Sequence, residues 1–241
     1  MTGPLYIQEV TGRSEQGITH PYICRASDGR IYFVKGLNAG EISLVREWVC
    51  GNLGRCLGLP IPPFCIAEVP PPIAQAYPDL DCGGVFASRR QAVTELTASD
   101  IDQVPTEIQQ LVLAFDWWIK NGDRYLTEHG GNVNLFLDQD DDGLVVIDHN
   151  QAFEADFSPT DFCTMHVFRN QVGTVFDDLV TRAHMATRFQ NAMTHWPQIR
   201  AQVPERWLYL DEHHTESCSI DLEQVHNTLE NYTSPEFWCL P

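Results

Sequence analysis

Basic residues are scarce in this sequence: 15 Lys plus Arg stand against 33 Asp plus Glu, a formal net charge of −18. A protein that holds nucleic acid mainly through its phosphates needs a basic face, so the charge balance argues against general nucleic-acid binding. The acidity reads first as solubility, and second as attraction to a basic partner. It does not oppose ATP binding, because metal ions and a few cations offset phosphates locally. No stretch approaches the ~20 consecutive apolar residues of a membrane span. Met1–Val10 lacks the basic region and apolar run of a signal peptide, so a cytoplasmic location is the expectation. None of the eight cysteines sits in a Cys-x-x-Cys pair, which removes sequence support for a zinc site. Reduced thiols are expected. There is no internal repeat and no low-complexity tract. What is present is the composition of a globular protein, 43% hydrophobic and 20% charged. The 241 residues allow one large domain or two small lobes sharing a cleft.

The N-terminal third reads as strands. Pro4 to Val10 is one, and Tyr22 to Ala26 and Ile31 to Val34 are two more, joined through the Asp28-Gly29 signal of a tight hairpin turn. Thr11 to Gly17 reads as a flexible polar loop. Ile42, Val45, Val49, Leu53 and Leu57 then recur at helical spacing, with Gly58 where a C-terminal cap belongs and Pro60 just beyond. Strands are expected near Ile66–Val69 and Gly84–Arg89. Pro70 to Ala98 is rich in turn formers and reads as a connector. Pro105 to Lys120 follows as a helix, Leu135–Leu137 and Leu144–Ile147 as a hairpin, and the chain from about Asp177 as mainly helical.

Three segments carry residue types that phosphoryl transfer uses: a cation for phosphates, carboxylate and amide oxygens for Mg²⁺, and a carboxylate near the attacking hydroxyl. Lys35 ends the apolar run Phe33-Val34; alone it reads more plainly as a surface lysine. Asn121-Gly122-Asp123-Arg124 follows an apolar helix and precedes Asn132-Val133-Asn134; the plainer alternative is an Asp–Arg ion pair with turn asparagines. Asp148 closes the apolar strand Leu144–Ile147 and suits a hard cation, or else caps a turn. His213-His214 beside Asp211 and Glu212 reads as a solvated turn rather than a metal site. His129 is a weak candidate for touching a phosphate or acceptor. Trp117 and Trp118 read as core, and Cys163 and Cys218 lack a paired base.

Together these segments resemble the HipA-like kinases, and more broadly the phosphatidylinositol-kinase-like branch of the kinase fold. The likeness is carried by Phe33-Val34-Lys35, by Glu47 through Gly58-Leu59-Pro60-Ile61-Pro62, by Phe115 through Arg124, by Asn132 through Leu137 and by Ile147 through Phe153, over roughly residues 20–155. It implies an α+β, two-lobed protein-kinase-like fold. An antiparallel-sheet N-lobe (residues 1–90) would cover the nucleotide, and a helical C-lobe (residues 91–241) would bear the catalytic loop and metal-binding hairpin. It further implies that Lys35 holds the α- and β-phosphates of ATP and that Glu47 pairs with it. Asp123 would orient the acceptor hydroxyl and accept its proton. Asp148 and Asn134, or Asn132, would bind Mg²⁺, and Arg124 would support the loop. The implied activity is transfer of the γ-phosphate to a Ser/Thr protein acceptor, with a toxin–antitoxin setting as one context.

The sequence departs from the family pattern in three places. About four extra residues separate Asp123 from the asparagines, so Tyr125 to Gly131 is an insertion that could alter acceptor choice or misplace the metal ligands. At ~100° per residue, Glu47 lies nearly opposite the apolar stripe of its helix, whereas Glu41 lies beside it. Thr11–Gly17 has two glycines but no Gly-x-Gly-x-x-Gly pattern for covering phosphates. The alternatives that keep the same cleft are a small-molecule or lipid kinase, a catalytically inactive nucleotide-binding pseudokinase, and an adenylyl transferase.

Overall fold

The computed structural model describes residues 3–15, 19–127, 130–140 and 143–240. Strand β1 (Ile7–Arg13) is followed by β2 (Tyr22–Ala26), β3 (Ile31–Lys35), helix α1 (Glu41–Leu57), β4 (Phe64–Ala67), α2 (Pro71–Ala76), β5 (Val85–Arg89) and β6 (Val93–Glu95). Next come α3 (Thr106–Trp118), β7 (Tyr125–Thr127), β8 (Gly130–Asn132), β9 (Leu135–Asp138) and β10 (Leu144–Val146). Five helices complete the described chain: α4 (Pro159–Met165), α5 (Val172–Asp177), α6 (Leu179–Met193), α7 (Trp196–Ala201) and α8 (Leu222–Glu230).

These elements group into two compact units, each assembled from distant stretches of chain. The first comprises Met1–Trp48, Pro62–Gln91 and Gln202–Ile220. It contains a five-stranded sheet in the order β1-β2-β3-β5-β4, every neighbouring pair antiparallel. Tyr22, Cys24 and Ala26 alternate inward with Tyr32 and Val34, the period-two burial expected of a sheet with one covered face. The Asp-Gly turn forms as expected. Gly29 takes φ +78°, and Asp28 accepts hydrogen bonds from the Arg30 amide at 3.0 Å and the Tyr32 hydroxyl at 2.8 Å. One expectation fails here: Thr11–Arg13 continue β1 rather than opening a loop, and Gln16 and Gly17 lie outside the described residues.

The second unit comprises Val49–Ile61, Ala92–Ala201 and Asp221–Pro241. A three-stranded antiparallel sheet β10-β9-β6 and the β7–β8 hairpin sit with its helices. Trp118 anchors the core: it is fully buried, stacks on Phe189 at 4.3 Å between ring centroids, and donates its indole N–H to the Leu229 carbonyl at 2.7 Å. Trp117 packs edge-on against Phe157 and Phe176, with Phe162 tilted beside it. Both tryptophans are therefore packing residues. Helix α1 ends in a Schellman motif, with the Leu59 amide on the Gly54 carbonyl at 2.9 Å and the Gly58 amide on the Arg55 carbonyl at 3.0 Å. Gly58 carries φ +87°, which a side chain would strain. The exit places Pro60 so that its carbonyl accepts the Val146 amide at 3.0 Å, tying the Gly58-Leu59-Pro60 turn to the strand that leads to Asp148.

All eight cysteines are free of disulfides. Among the described residues no helix is long and apolar enough to cross a membrane.

Candidate active site

The first unit holds Lys35 and Glu47 against each other. Lys35 ends β3, and its ammonium forms an ion pair with the Glu47 carboxylate. The side chains are only 12% and 5% exposed. Two charges this buried persist only because they are paired, and removing either partner of such a pair costs ~3–5 kcal/mol. Glu47, which the family resemblance favoured and the helical wheel did not, is thus the partner of Lys35, while Glu41 sits 3.8 Å from Arg206. The wheel argument failed because α1 is buried around most of its circumference. Its apolar stripe does not mark its only covered side.

The second unit brings together Asp123, Asn132 and Asn134. Asp123 Oδ2 accepts hydrogen bonds from the Asn132 amide at 2.7 Å and the Asn134 amide at 3.2 Å. Its Oδ1 accepts none from the described residues. Burial raises the Asp123 carboxyl above the usual carboxylate range, and the two asparagine amides and Arg124 offset only part of that. The extra residues after Asp123 fold back on themselves. Hairpin β7–β8 pairs Tyr125 with Asn132 and Leu126 with Gly131, so the insertion returns Asn132 to Asp123 instead of displacing it. Gly131 is obligatory there, since a Cβ would stand 2.2 Å from the Tyr125 carbonyl oxygen. His129 lies outside the described residues.

Asp148 closes β10 with φ +59°, and Asn134 precedes β9 with φ +47°. Both are left-handed, a region that Asn and Asp tolerate better than other side chains. The two strand ends are adjacent, because the Ile147 amide donates to the Asn134 carbonyl at 3.2 Å. Asp148 Oδ1 also accepts the Asn150 amide at 3.4 Å. With their amide nitrogens on Asp123, Asn132 and Asn134 have side-chain oxygens that accept no hydrogen bond from the described residues. Carboxylate plus amide oxygens make a hard donor set that fits Mg²⁺. Among the described residues there is no cluster of three His, Cys, Asp or Glu side chains able to hold a metal. The His213-His214 segment is a turn, in which Asp211 accepts backbone amides of His213, Thr215 and Glu216. Burial raises the Cys163 and Cys218 thiols, opposing a nucleophilic role.

Behind the loop lies a fully buried hub that sequence reasoning did not find. Asp116 Oδ2 accepts from Arg124 Nε at 2.7 Å, and its Oδ1 from the Asn121 amide at 2.9 Å. Arg124 Nη1 then donates to the carbonyls of Val133, Asn134 and Ile147 at 3.1, 2.8 and 3.3 Å. One guanidinium therefore ties the strand end bearing Asn134 to the strand end bearing Asp148. Burial pushes the Asp116 carboxyl up, but Arg124, His166 and Asn121 together more than offset it and hold it at about 2. Asp116 left a signal in the sequence, as the one charge in the apolar face of α3. His166 left none.

A cleft of about 310 Å³ opens beside Asp123 within this unit, walled by Lys120, Tyr125, Phe157 and Met165 among others.

No curated protein matches the chain. The HipA-like kinase family matches residues 7–240, well beyond the stretch whose motifs carry the resemblance, and the chain belongs to that family.

Proposed function

We propose that this protein is an ATP- and Mg²⁺-dependent kinase that transfers the γ-phosphate to a Ser or Thr hydroxyl of a protein acceptor, with Asp123 as the proton acceptor. The observation that carries the reading is the state of Asp123: half-buried, with one oxygen held by two asparagines and the other directed to none of the described residues, at the edge of a cleft. A base needs a fixed position, an available oxygen and a pKa lifted toward the working pH. All three favour Asp123.

In this reading the fold is the two-lobed one of the phosphatidylinositol-kinase-like branch, with Lys35 in the N-lobe and Asp123 and Asp148 in the C-lobe. Lys35, oriented by Glu47, binds the α- and β-phosphates. Asp148 and Asn134, with Asn132 as the alternative, would hold Mg²⁺, which when bound neutralises charge on the phosphate oxygens. Asp123 Oδ1 accepts the acceptor's hydroxyl proton as the hydroxyl oxygen bonds to the γ-phosphorus. The bond from that phosphorus to the bridging oxygen breaks, and ADP leaves with the electron pair. Arg124 keeps the loop and both strand ends in register.

The test is calorimetric binding of Mg²⁺-ATP to the wild type and to Lys35→Ala, Asp148→Ala and Asp123→Ala. Weakened binding in the first two with near-normal binding in the third is expected. Equal binding in all four would remove Lys35 and Asp148 from the nucleotide site. A small-molecule or lipid acceptor is the second reading, favoured by the limited size of the cleft. A metabolite panel incubated with γ-labelled ATP separates it from the first.

A further inference from the structure

We infer that His166 is a positioning residue for phosphoryl transfer, acting through Asp116 and Arg124 on the metal-binding strand ends. This rests on the kinase reading above for its catalytic consequence, and on geometry alone for the positioning itself.

His166 follows α4, is 2% exposed, and belongs to none of the motifs that carry the family resemblance. Its two ring nitrogens have different partners. Nδ1 accepts the Phe168 amide at 3.0 Å, so Nδ1 carries no proton. The ring proton is therefore on Nε2, which donates to Asp116 Oδ2 at 3.1 Å. The same carboxylate oxygen receives Arg124 Nε. Burial lowers the His166 pKa, with Asp116 offsetting only part of it, consistent with a neutral imidazole. A neutral donor suits this place: it adds a hydrogen bond to Asp116 without competing for the charge that Asp116 supplies to Arg124.

The backbone around His166 reinforces the link. Tyr125 and His166 form an antiparallel bridge, and the Val167 amide donates to the carbonyl of Arg124 itself at 3.2 Å. The segment after α4 therefore grips the catalytic loop by its main chain while His166 grips the hub by its side chain. The chain of contacts runs from His166 to Asp116, to Arg124, to the Asn134 and Ile147 carbonyls. Each step is a hydrogen bond between fixed groups. Loss of the first lets the Asp116 carboxylate rotate and shifts the guanidinium that fixes the last. Such a shift should change the rate of the chemical step more than the affinity for ATP.

Two substitutions separate the two nitrogens. His166→Gln keeps an N–H near the position of Nε2. His166→Asn keeps an acceptor near Nδ1 but loses the donor to Asp116. The turnover probe is ADP release from Mg²⁺-ATP with water as acceptor. His166→Asn is expected to lose about 100-fold in kcat, the scale of a small misplacement transmitted from a distance, with the KM for ATP nearly unchanged. His166→Gln is expected to restore most of the loss. Wild-type kcat in His166→Asn overturns the inference, and so does a folded His166→Gln as slow as His166→Asn. Amide hydrogen exchange reads positioning without turnover. In His166→Asn the Ile147 amide, which donates to Asn134, should exchange at least tenfold faster relative to the Leu229 amide, and unchanged relative exchange overturns the inference. If the wild type transfers the γ-phosphate neither to water nor to cell-extract proteins, the kinase reading fails while the exchange still decides the role of His166. Should His166→Asn not fold, His166→Gln decides alone: near-normal Ile147 protection upholds the role of the donor, and lost protection in a folded protein overturns it.

Discussion

In the proposed reaction Asp123 is the base, and its surroundings set a testable pH dependence. Burial raises its carboxyl above the ordinary carboxylate value, and the base must be ionised to accept a proton. Activity should therefore fall as pH drops through a value higher than that of an exposed aspartate, with no loss from this group on the alkaline side. A pH profile of kcat/KM reads this directly, and an acid limb at an ordinary aspartate value would contradict it. Asp123→Asn should lower kcat by about 10²–10⁴, the usual contribution of a positioned base, measured as ADP release. Lys35 stands out by its residue type. It is one of only two lysines in the chain, the other being Lys120 in the cleft wall. In a chain so poor in lysine, a lysine ending an apolar strand is less ordinary than it is elsewhere, and that rarity is a signal the local motif does not contain.

At the scale of elements, hairpin β7–β8 decides whether the insertion after Asp123 is harmless. Gly131 allows the two strands to close, so Gly131→Ala should push Asn132 off Asp123 and reduce kcat by at least about tenfold while ATP binding persists. Steady-state kinetics beside calorimetric binding check this, and normal kcat would show that Asn132 is dispensable. This hairpin was not legible beforehand. Its sequence reads only as extra length between two motif residues, and strand pairing across three residues a side has no periodicity to reveal it. The β2–β3 hairpin and α3 were legible, because Asp28-Gly29 forces a turn and an apolar helical stripe must be buried. Helix α1 was legible in its bounds but not in its orientation: apolar periodicity locates one covered face, and Glu47 is covered on another by pairing with Lys35. The Asp116–Arg124–His166 hub was illegible for a similar reason. Buried charge is stabilised by partners 8 and 50 residues away, and no local pattern announces them.

For the whole molecule, the hub links stability to pH. Asp116 is held at about 2, below its ordinary 3.8, so its contribution is present above 3.8 and lost as pH falls toward 2. His166 is depressed below 6.5, so its contribution is present above 6.5 and lost as pH falls below that value. Denaturant titrations should show stability declining from about pH 6.5 downward, with a shallower decline in His166→Gln. Asp116→Ala should cost about 3–5 kcal/mol at pH 7, the scale for stranding one member of a buried ion pair. The family match over residues 7–240 places the chain in the HipA-like kinase family. The specific claim beyond it is that Asp123 accepts the acceptor's hydroxyl proton while the γ-phosphoryl group is transferred. The most direct measurement incubates the wild type and Asp123→Ala with cell-extract proteins, Mg²⁺ and ATP labelled in turn at the α- and γ-positions. The account predicts γ-label on Ser or Thr with the wild type, none above background with Asp123→Ala, and no α-label with either. Equal γ-labelling by both proteins, or incorporation of the α-label, would contradict it.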